Sequence, residues 1–298
     1  MMRDDFCVFI LSHGRADNVM SARTLERSGY TGRTYIVIDN LDKQGERYKE
    51  RFGADRVLVF DKTKWADLTD SYSNQGILNS VVYARNAVWD FARRLGVRHF
   101  CVLDDDYSGF YFRWIEGEGL PSARCRDLDG VFSAMVDFLD VSGADVVCMA
   151  QAGDYVGGMD STAATHPLMR KAMNVYFFAT DRSYLFTGTM NDDVNTYVLA
   201  NLRGRLVLTL TSISVVQKAT QQNAGGLTDM YLEFGTYQKS FYSVMAAPSC
   251  VKVSMLHGGK AGAEHQHWRI HHHVRWENCA PKILSEKWRK GGKRARRK

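Results

Sequence analysis

The sequence predicts an α/β protein built on a doubly wound, largely parallel sheet, and three observations lead to this prediction. Short apolar runs alternate with segments of helical periodicity through the first half of the chain, as expected for strands that helices cover on both faces. Polar and acidic residues directly follow several of these runs, and ligands of such sheets bind outside the carboxyl ends of the strands. At 298 residues, 45% of them hydrophobic, the chain can bury a substantial core.

The elements of the first half follow one another in strand–helix order. Strands are predicted at 6–11, 34–38, 56–60 and 99–103, and helices at 17–29, 43–52 and 77–95. Gly53 and Gly96 stand just after the second and third of these helices, where a helix end favours glycine. The fourth strand runs directly into three consecutive aspartates.

The second half mixes strands and helices without regular alternation. Strands are predicted at 110–115, 146–149, 175–179, 206–216 and 251–256, and helices at 128–139, 192–202 and 228–245. No linker-like segment separates the two halves. We therefore predict one large domain over residues 1–256, followed by a C-terminal extension over residues 257–298.

Cysteine usage and hydropathy indicate a soluble protein of the cytoplasm. The six cysteines are scattered without a Cys-x-x-Cys pair, and Cys7, Cys101 and Cys148 lie inside apolar runs, which is typical of reduced core thiols. The N-terminus carries acids where a signal peptide has cations, and no apolar stretch is long enough to span a bilayer.

The net charge of +6 is concentrated at the end of the chain, where residues 287–298 form a dense cationic tail. Such a tail attracts polyanions through counterion release. It is also compatible with a solvated terminus that only keeps the protein soluble. Composition alone leaves both interpretations open.

The strongest local signal is the run Asp104, Asp105 and Asp106 after the fourth strand. In an extended segment Asp104 and Asp106 point the same way, and two carboxylates at one strand end suit a hard divalent cation such as Mg²⁺ or Mn²⁺. The alternative is an acidic turn that leads to Gly109, because Asp and Gly favour turns.

Two further polar groups have a functional and a structural interpretation each. Arg85, on the helix before the fourth strand, is either a ligand of anionic oxygens or a surface arginine. Asn191, Asp192 and Asp193 open a predicted helix, where they either cap it or supply a carboxylate that removes a proton from an attacking hydroxyl.

Histidines are frequent near the end of the chain. His257 stands where the last predicted strand ends, so it is our candidate for completing a metal site. The run His271, His272 and His273 has no zinc-ligand partner at a recognisable spacing, and we interpret it as a surface cluster.

Taken together, these segments resemble the GT-A glycosyltransferases and, more narrowly, the TET/JBP-associated glycosyltransferases found largely in bacteriophages. The resemblance spans most of the chain. It rests on residues 9–15, 35–39, 84–87, 102–107, 191–193, 272–273 and 281–289.

The resemblance implies a GT-A fold, a Rossmann-like mixed, mostly parallel sheet flanked by helices, with a nucleotide-binding half over 1–106 and an acceptor half over 107–256. It implies transfer of a sugar from a UDP-sugar with Mn²⁺ or Mg²⁺ as cofactor, because a metal on the Asp-x-Asp pair neutralises the departing diphosphate. The implied donor ligands are Ser12, His13, Arg15, Asp39, Arg85 and Asp105. The implied metal ligands are Asp104, Asp106 and His257, and the implied acceptor-side acids are Asp193 and Asp192. GT-A enzymes commonly carry Glu-Asp where this chain has Asn-Asp-Asp, which leaves the identity of the base and the stereochemical outcome open.

The family resemblance further implies an acceptor, namely DNA whose hydroxymethylated pyrimidines a companion TET-like oxygenase produces, in the host cytoplasm if the protein is phage-encoded. Arg275, Lys287, Arg289 and Lys290 would then contact DNA phosphates. Tryptophans interleaved with these cations would stack on bases, or else they belong to the core of a terminal subdomain.

Three rival functions share some of these features. A GT-A transferase could act on a polysaccharide or a protein instead of DNA. A sugar nucleotidylyltransferase shares the α/β plan, but the sequence lacks a Gly-rich basic loop near its N-terminus. The rival from another class is a non-catalytic DNA-binding protein whose acids are structural.

Overall fold

The structure of the protein is a computed structural model that describes residues 3–73, 76–217, 228–258 and 267–280. Within these residues, a ten-stranded sheet and a separate two-stranded antiparallel sheet organise the fold. The strands are β1 (Phe6–Leu11), β2 (Arg33–Asp39), β3 (Val57–Phe60), β4 (His99–Asp104), β5 (Tyr107–Arg113), β6 (Ser122–Arg124), β7 (Val146–Gln151), β8 (Leu168–Met169), β9 (Asn174–Ala179), β10 (Val207–Gln217), β11 (Val251–Gly258) and β12 (His267–Val274).

Eight α-helices accompany the strands in the described part of the chain. They are α1 (Met20–Arg27), α2 (Gly45–Phe52), α3 (Lys62–Leu68), α4 (Val82–Arg94), α5 (Leu128–Ser142), α6 (Thr162–Thr165), α7 (Asp192–Leu202) and α8 (Thr228–Ala246). Short 3-10 helices occur at Ala16–Asn18, Ala54–Arg56, Ala152–Tyr155, Gly158–Asp160 and Trp276–Asn278.

The large sheet has the strand order β3-β2-β1-β4-β9-β7-β10-β5-β6, and β8 pairs with β10. Parallel pairing joins β3, β2, β1 and β4, and it also joins β7 to β10. The antiparallel strand β9 lies between these two groups, so β7 and β10 point the same way as β4. The predicted mixed, mostly parallel sheet flanked by helices is therefore confirmed.

Helices cover both faces of the sheet, and every residue of β1 is buried. Phe6, Val8 and Ile10 face a core layer that receives side chains from α1, α2 and α5. Cys7 and Phe9 face the opposite layer, which receives side chains from α4 and α7. Burial on both faces explains why the sequence of the first strand is a continuous apolar run.

Most predicted elements are confirmed, but α4 begins at Val82 rather than near residue 77. The hydroxyl of Ser80 donates to the carbonyl of Thr189 at 2.8 Å and accepts from the backbone N–H of Val82 at 3.4 Å. These bonds hold the preceding turn against another loop, outside the helix. Helix α3 was not predicted, although Asp61 caps it by accepting from the backbone N–H of Lys64.

The C-terminal hairpin pairs β11 with β12 along their whole length, and α8 packs against both strands. The predicted last strand, 251–256, continues to Gly258, so the predicted boundary between residues 256 and 257 falls inside β11. The division into domains remains a prediction, and residues 281–298 lie outside the described residues.

All six cysteines are buried free thiols, as the sequence analysis predicts. Among the described helices, none combines the length and the apolar composition that crossing a bilayer requires.

We predict that Gly29→Ala destabilises the protein severely. Gly29 follows α1 with φ of +82°, and a Cβ atom there would lie 2.3 Å from the carbonyl oxygen of Arg126. A left-handed alanine alone costs about 1–2 kcal/mol, and the backbone clash raises the expected loss to about 3 kcal/mol or more. Urea unfolding measures the loss of unfolding free energy. The matched control is Gly143→Ala, at φ of +65° with no atom within 4 Å of the new Cβ. Equal losses of stability in the two variants would contradict the prediction.

Candidate active site

The residues after β1 form a loop that the side chains of Tyr48, in α2, and of Gln44, just before α2, hold in place. The hydroxyl of Tyr48 lies 2.8 Å from Oγ of Ser12 and accepts from the backbone N–H of Arg15 at 2.8 Å. Gln44 accepts from the N–H of Ala16 and donates to the carbonyl of Gly14. Neither Tyr48 nor Gln44 was identified from the sequence, because both act across about 30 residues of chain.

Asp105 anchors this loop to the end of β4. Its buried carboxylate accepts from Oγ of Ser12 at 2.6 Å and from Nη1 of Arg15 at 2.8 Å. Burial raises the pKa of Asp105, and the opposing effects of Arg15 and Ser12 do not cancel that rise. The predicted donor ligands Ser12, Arg15 and Asp105 thus lie together and bond to one another.

Asp39, at the end of β2, lies at the centre of a second charged group. Its Oδ2 accepts from Nδ1 of His13 at 2.6 Å and from Nζ of Lys62 at 2.9 Å, and its Oδ1 accepts from the N–H of Leu41. Burial opposes ionisation of Asp39, but the hydrogen bonds from His13 and Lys62 outweigh it and lower its pKa. The ring of His13 is 52% exposed whereas Asp39 is 4% exposed, so His13 presents this group to solvent.

Lys62 is the residue of this group that the sequence analysis missed. It is buried at the first position of α3, and a buried lysine needs a paired acid. Its partner is more than 20 residues away in sequence, in another strand–helix unit.

The acidic run divides at the end of β4. Asp104 is the last strand residue, whereas Asp105 and Asp106 form a turn, so the extended geometry expected through Asp106 ends early. The cause is Ser21 in the first turn of α1. Its hydroxyl donates to the carbonyl of Asp104 and accepts from the N–H of Tyr107, while its N–H donates to the carbonyl of Asp105.

The two outer aspartates, Asp104 and Asp106, are both partly exposed. Burial, with added repulsion from Asp104 and Asp105, raises the pKa of Asp106 to about 6, against the opposing charge of Arg15. The side chain of Asp104 is 31% exposed. Within the part of the chain that the structure describes, no group of three or more His, Cys, Asp or Glu side chains forms a ready metal cage. Two carboxylates beside solvent are nevertheless a donor set that suits Mg²⁺ or Mn²⁺, which keep positions for water and phosphate oxygens.

Arg85 connects these acids to the beginning of α7. Its Nη1 donates to Oδ2 of Asp192 at 2.7 Å, and its Nη2 lies 3.5 Å from Oδ1 of Asp104. Arg85 is only 5% exposed, with its guanidinium against the rings of Tyr176 and Phe186. The interpretation of Arg85 as a surface arginine is therefore wrong.

The start of α7 places its two acids in different environments. Asp192 is buried against Arg85, and burial raises its pKa despite that contact. Asp193 is half-buried, and its Oδ1 accepts from the N–H of Val194. Asn191 makes no side-chain cap, so capping does not explain its presence.

Asn191 instead joins α7 to the C-terminal part of the chain. With φ of +50°, its amide donates to the carbonyl of Lys239 at 2.9 Å and to Nδ1 of His272 at 3.2 Å. Burial and the neighbouring His271, Lys239 and His273 lower the pKa of His272 to about 3, so His272 is a neutral acceptor. The interpretation of the histidine run as a surface cluster is wrong for His272, because β12 directs it inwards.

A row of polar side chains extends from Asp104 across the sheet edge. The hydroxyl of Tyr107 lies 3.5 Å from Oδ2 of Asp104 and donates to Oδ1 of Asn174 at 3.0 Å. Asn174 donates in turn to Oε1 of Gln151 at 2.7 Å. The next residue, Val175, has φ of +52°, a strained conformation for a β-branched residue. The sequence gives no sign of this row, since it joins four strands, β4, β5, β7 and β9, that span about 70 residues of chain.

The remaining predicted site residues lie away from this geometry or outside the described residues. The backbone of His257 belongs to β11, but its side chain lies outside the described residues, as do Lys287, Arg289 and Lys290. Arg275, just after β12, donates to the carbonyls of Ser249 and Pro248 and so ties the end of the hairpin to the turn between α8 and β11. Its contact with DNA remains a prediction.

The chain is similar in sequence to one family of known proteins. The sequence model of a family described as TET-Associated Glycosyltransferase matches residues 6–226. No curated protein matches the sequence.

The chain is also similar, at low sequence identity, to several solved structures. Glucosyl-3-phosphoglycerate synthase from Mycobacterium tuberculosis, in complex with Mg²⁺ and UDP, is 10% identical with a TM-score of 0.47, over 90% of this chain and 87% of that one. S. aureus TarS 1–349 is 11% identical with a TM-score of 0.43, over 74% of this chain and 61% of that one. GalNAc-T7 with UDP, GalNAc and Mn²⁺ is 10% identical with a TM-score of 0.42, over 71% of this chain and 43% of that one.

We predict that Asp39→Asn costs about 3 kcal/mol of folding free energy at neutral pH, because it leaves the buried Lys62 without its counter-charge. The folded-state pKa of Asp39 is lowered. Its stabilisation is therefore present above the unfolded pKa of about 4 and is lost as the pH falls towards the folded pKa. The difference in the free energy of unfolding between Asp39→Asn and wild type should therefore become smaller below about pH 4. Urea unfolding at several pH values measures it, with the exposed Asp181→Asn as control, and a difference that stays constant into acid would refute the assignment.

Proposed function

The chain belongs to the TET-associated glycosyltransferase family, and from this premise we propose that it transfers a sugar from a UDP-sugar to a hydroxymethylated pyrimidine in DNA, with Mn²⁺ or Mg²⁺ as cofactor. Glycosyl transfer itself follows from family membership. The metal, the nucleotide and the acceptor are the proposed parts.

One observation carries the proposal: a single buried guanidinium contacts both Asp104 at the end of β4 and Asp192 at the start of α7. An acid proposed to serve the donor, Asp104, therefore lies within reach of the same side chain as Asp192, the neighbour of the proposed base. A transferase needs this proximity, because the acceptor oxygen must reach the anomeric carbon while the diphosphate is still held.

Asp104 and Asp106 are the proposed metal ligands. Burial, and then the nearby charges of Asp104 and Asp105, raise the pKa of Asp106 to about 6. A divalent cation bound to Asp104 and Asp106 would relieve the repulsion between these carboxylates. When bound, the metal would neutralise the negative charge of the departing diphosphate.

The proposed donor contacts come from the loop after β1. His13 is half-exposed, Arg15 is partly exposed, and both are held by buried acids, Asp39 and Asp105. Because His13 and Arg15 are already held in place, they could bind a base, a ribose or a phosphate with little loss of side-chain entropy. Asp39 would act through His13, because both of its oxygens already accept hydrogen bonds.

Asp193 is the proposed general base. It is more accessible than Asp192, which Arg85 holds, and it lies in the first turn of α7. In the proposed reaction the acceptor hydroxyl gives its proton to the Asp193 carboxylate while its oxygen bonds to the anomeric carbon. The bond between that carbon and the phosphate oxygen breaks, and UDP leaves with the bonding electrons.

DNA is the proposed acceptor because of the family description and the cationic tail. Residues 287–298 carry eight Lys or Arg side chains, enough to engage several phosphates while the domain holds a base. A TET-like oxygenase would supply the hydroxymethyl group, which implies that both enzymes act in the same compartment.

We predict that Asp104→Ala and Asp106→Ala each reduce sugar transfer at least 100-fold (on the order of 3 kcal/mol of barrier) without loss of the fold. Mass spectrometry of nucleosides measures transfer after incubation of hydroxymethylated DNA with Mn²⁺ and a panel of nucleotide sugars. Circular dichroism checks the fold, and Asp181→Asn, an exposed acid outside the site, serves as the matched variant.

Activity that persists in excess EDTA, or in both alanine variants, would remove the metal from the proposal. Transfer to a polysaccharide or a protein, with none to hydroxymethylated DNA, would replace the acceptor. DNA binding that ignores UDP and metal, with no sugar incorporated, would favour the non-catalytic alternative.

We also predict that deletion of residues 287–298 weakens binding to hydroxymethylated DNA and makes the dependence of log Kd on log salt shallower. Each phosphate that the tail no longer neutralises reduces that slope by about 0.9. Fluorescence anisotropy across a series of salt concentrations measures it, and an unchanged slope would exclude the tail from DNA contact.

A further inference from the structure

Arg85 is deeply buried, whereas a residue that binds a donor nucleotide must be accessible to that nucleotide. It is 5% exposed, and its guanidinium lies 5.2 Å from the ring centroid of Tyr176 and 5.4 Å from that of Phe186. Both rings are themselves buried. A charge in such a place is stable only if acids compensate for its lost hydration.

The two terminal nitrogens of Arg85 have different partners. Nη1 makes a short hydrogen bond to Asp192, whose side chain is only 9% exposed, whereas Nη2 makes a looser 3.5 Å contact with the partly exposed Asp104. Because the guanidinium is planar and rigid, it limits the range of separations that two carboxylates in contact with its two ends can adopt. The loose contact leaves the oxygens of Asp104 accessible to a further ligand.

From this geometry we infer that Arg85 is a positioning residue that sets the distance between the donor-side Asp104 and the acceptor-side Asp192, and that it does not bind the donor. The inference rests on the proposed function for its catalytic consequence. Asp192 is the immediate neighbour of Asp193, so Arg85 also holds the first turn of α7, which carries the proposed base, against the end of β4.

The inference differs from the role that the family resemblance implies for Arg85. A donor ligand contributes to nucleotide affinity, and its loss raises the KM for the sugar nucleotide. A positioning residue contributes mainly to the alignment of base, acceptor and anomeric carbon, and its loss lowers kcat while nucleotide binding persists.

The test uses the full chain and four variants: Arg85→Met, Arg85→Lys, Asp192→Asn and the double variant Arg85→Met/Asp192→Asn. Thermal unfolding without ligand measures the buried pair, calorimetric titration of UDP in the presence of Mn²⁺ measures nucleotide affinity, and nucleoside mass spectrometry gives kcat and KM. The lysine variant keeps one positive charge, so it stays informative if the methionine variant folds poorly.

We expect Arg85→Met to lower the unfolding midpoint by on the order of 5–10 °C. The double variant should lose clearly less than the sum of the two single losses, since each single change leaves a buried charge unpaired. The affinity for UDP with Mn²⁺ should change less than threefold, while kcat falls tenfold or more. Arg85→Lys should recover most of the stability but not kcat, because one ammonium group cannot hold both carboxylates.

Two results would overturn the inference: additive losses in the double variant, or a tenfold or greater loss of UDP affinity in Arg85→Met with kcat preserved. Failure of the proposed function is distinguishable. If the wild type transfers no sugar, that function fails, while the unfolding cycle still decides whether Arg85 and Asp192 form one coupled unit.

Discussion

The constraint on which this site depends is the concentration of negative charge where β4 ends. Three consecutive carboxylates repel one another, and burial strengthens the repulsion because the interior screens charge poorly. Two arginines from different elements compensate part of this negative charge. Arg15 pairs with Asp105 from the loop after β1, and Arg85 approaches Asp104 from α4. Ser21 stabilises a turn directly after Asp104. Because of this turn, Asp104 contacts Arg85 and Asp105 contacts Arg15.

The same arrangement recurs around the site, where a buried acid that is paired with a cation supports a more accessible neighbour. Asp39 with Lys62 supports His13, Asp105 supports the loop of Arg15, and Asp192 with Arg85 lies beside Asp193. Buried ion pairs of this kind contribute little net stability, because desolvation offsets most of the attraction, but removal of one partner is costly. Their consequence here is precise placement of the accessible groups, which is what transfer between two bound substrates requires.

The C-terminal part of the chain contacts the start of α7, where the proposed base lies. Asn191 stands in a left-handed conformation at the start of α7 and bonds to the carbonyl of Lys239 in α8 and to His272 in β12. Burial lowers the pKa of His272, which favours the neutral ring that can accept from the Asn191 amide. The hairpin therefore braces the helix that carries the proposed base, and it joins the predicted C-terminal extension to the catalytic part of the fold.

The sequence by itself determined nine of the twelve described strands, their order along the chain and the acidic residues at the strand ends. Burial on both faces imposes continuous apolar runs, and polar groups at the carboxyl ends stand out against them. The sequence did not reveal α3, α6, β6 or β8, which are short, nor β12, a histidine-rich strand without an apolar run. Only the tertiary structure decided which acid pairs with which cation. Lys62 meets Asp39 and Arg85 meets Asp192 across chain separations of about 20 to 110 residues, and such pairing depends on strand order and helix packing, which no local pattern of residues records.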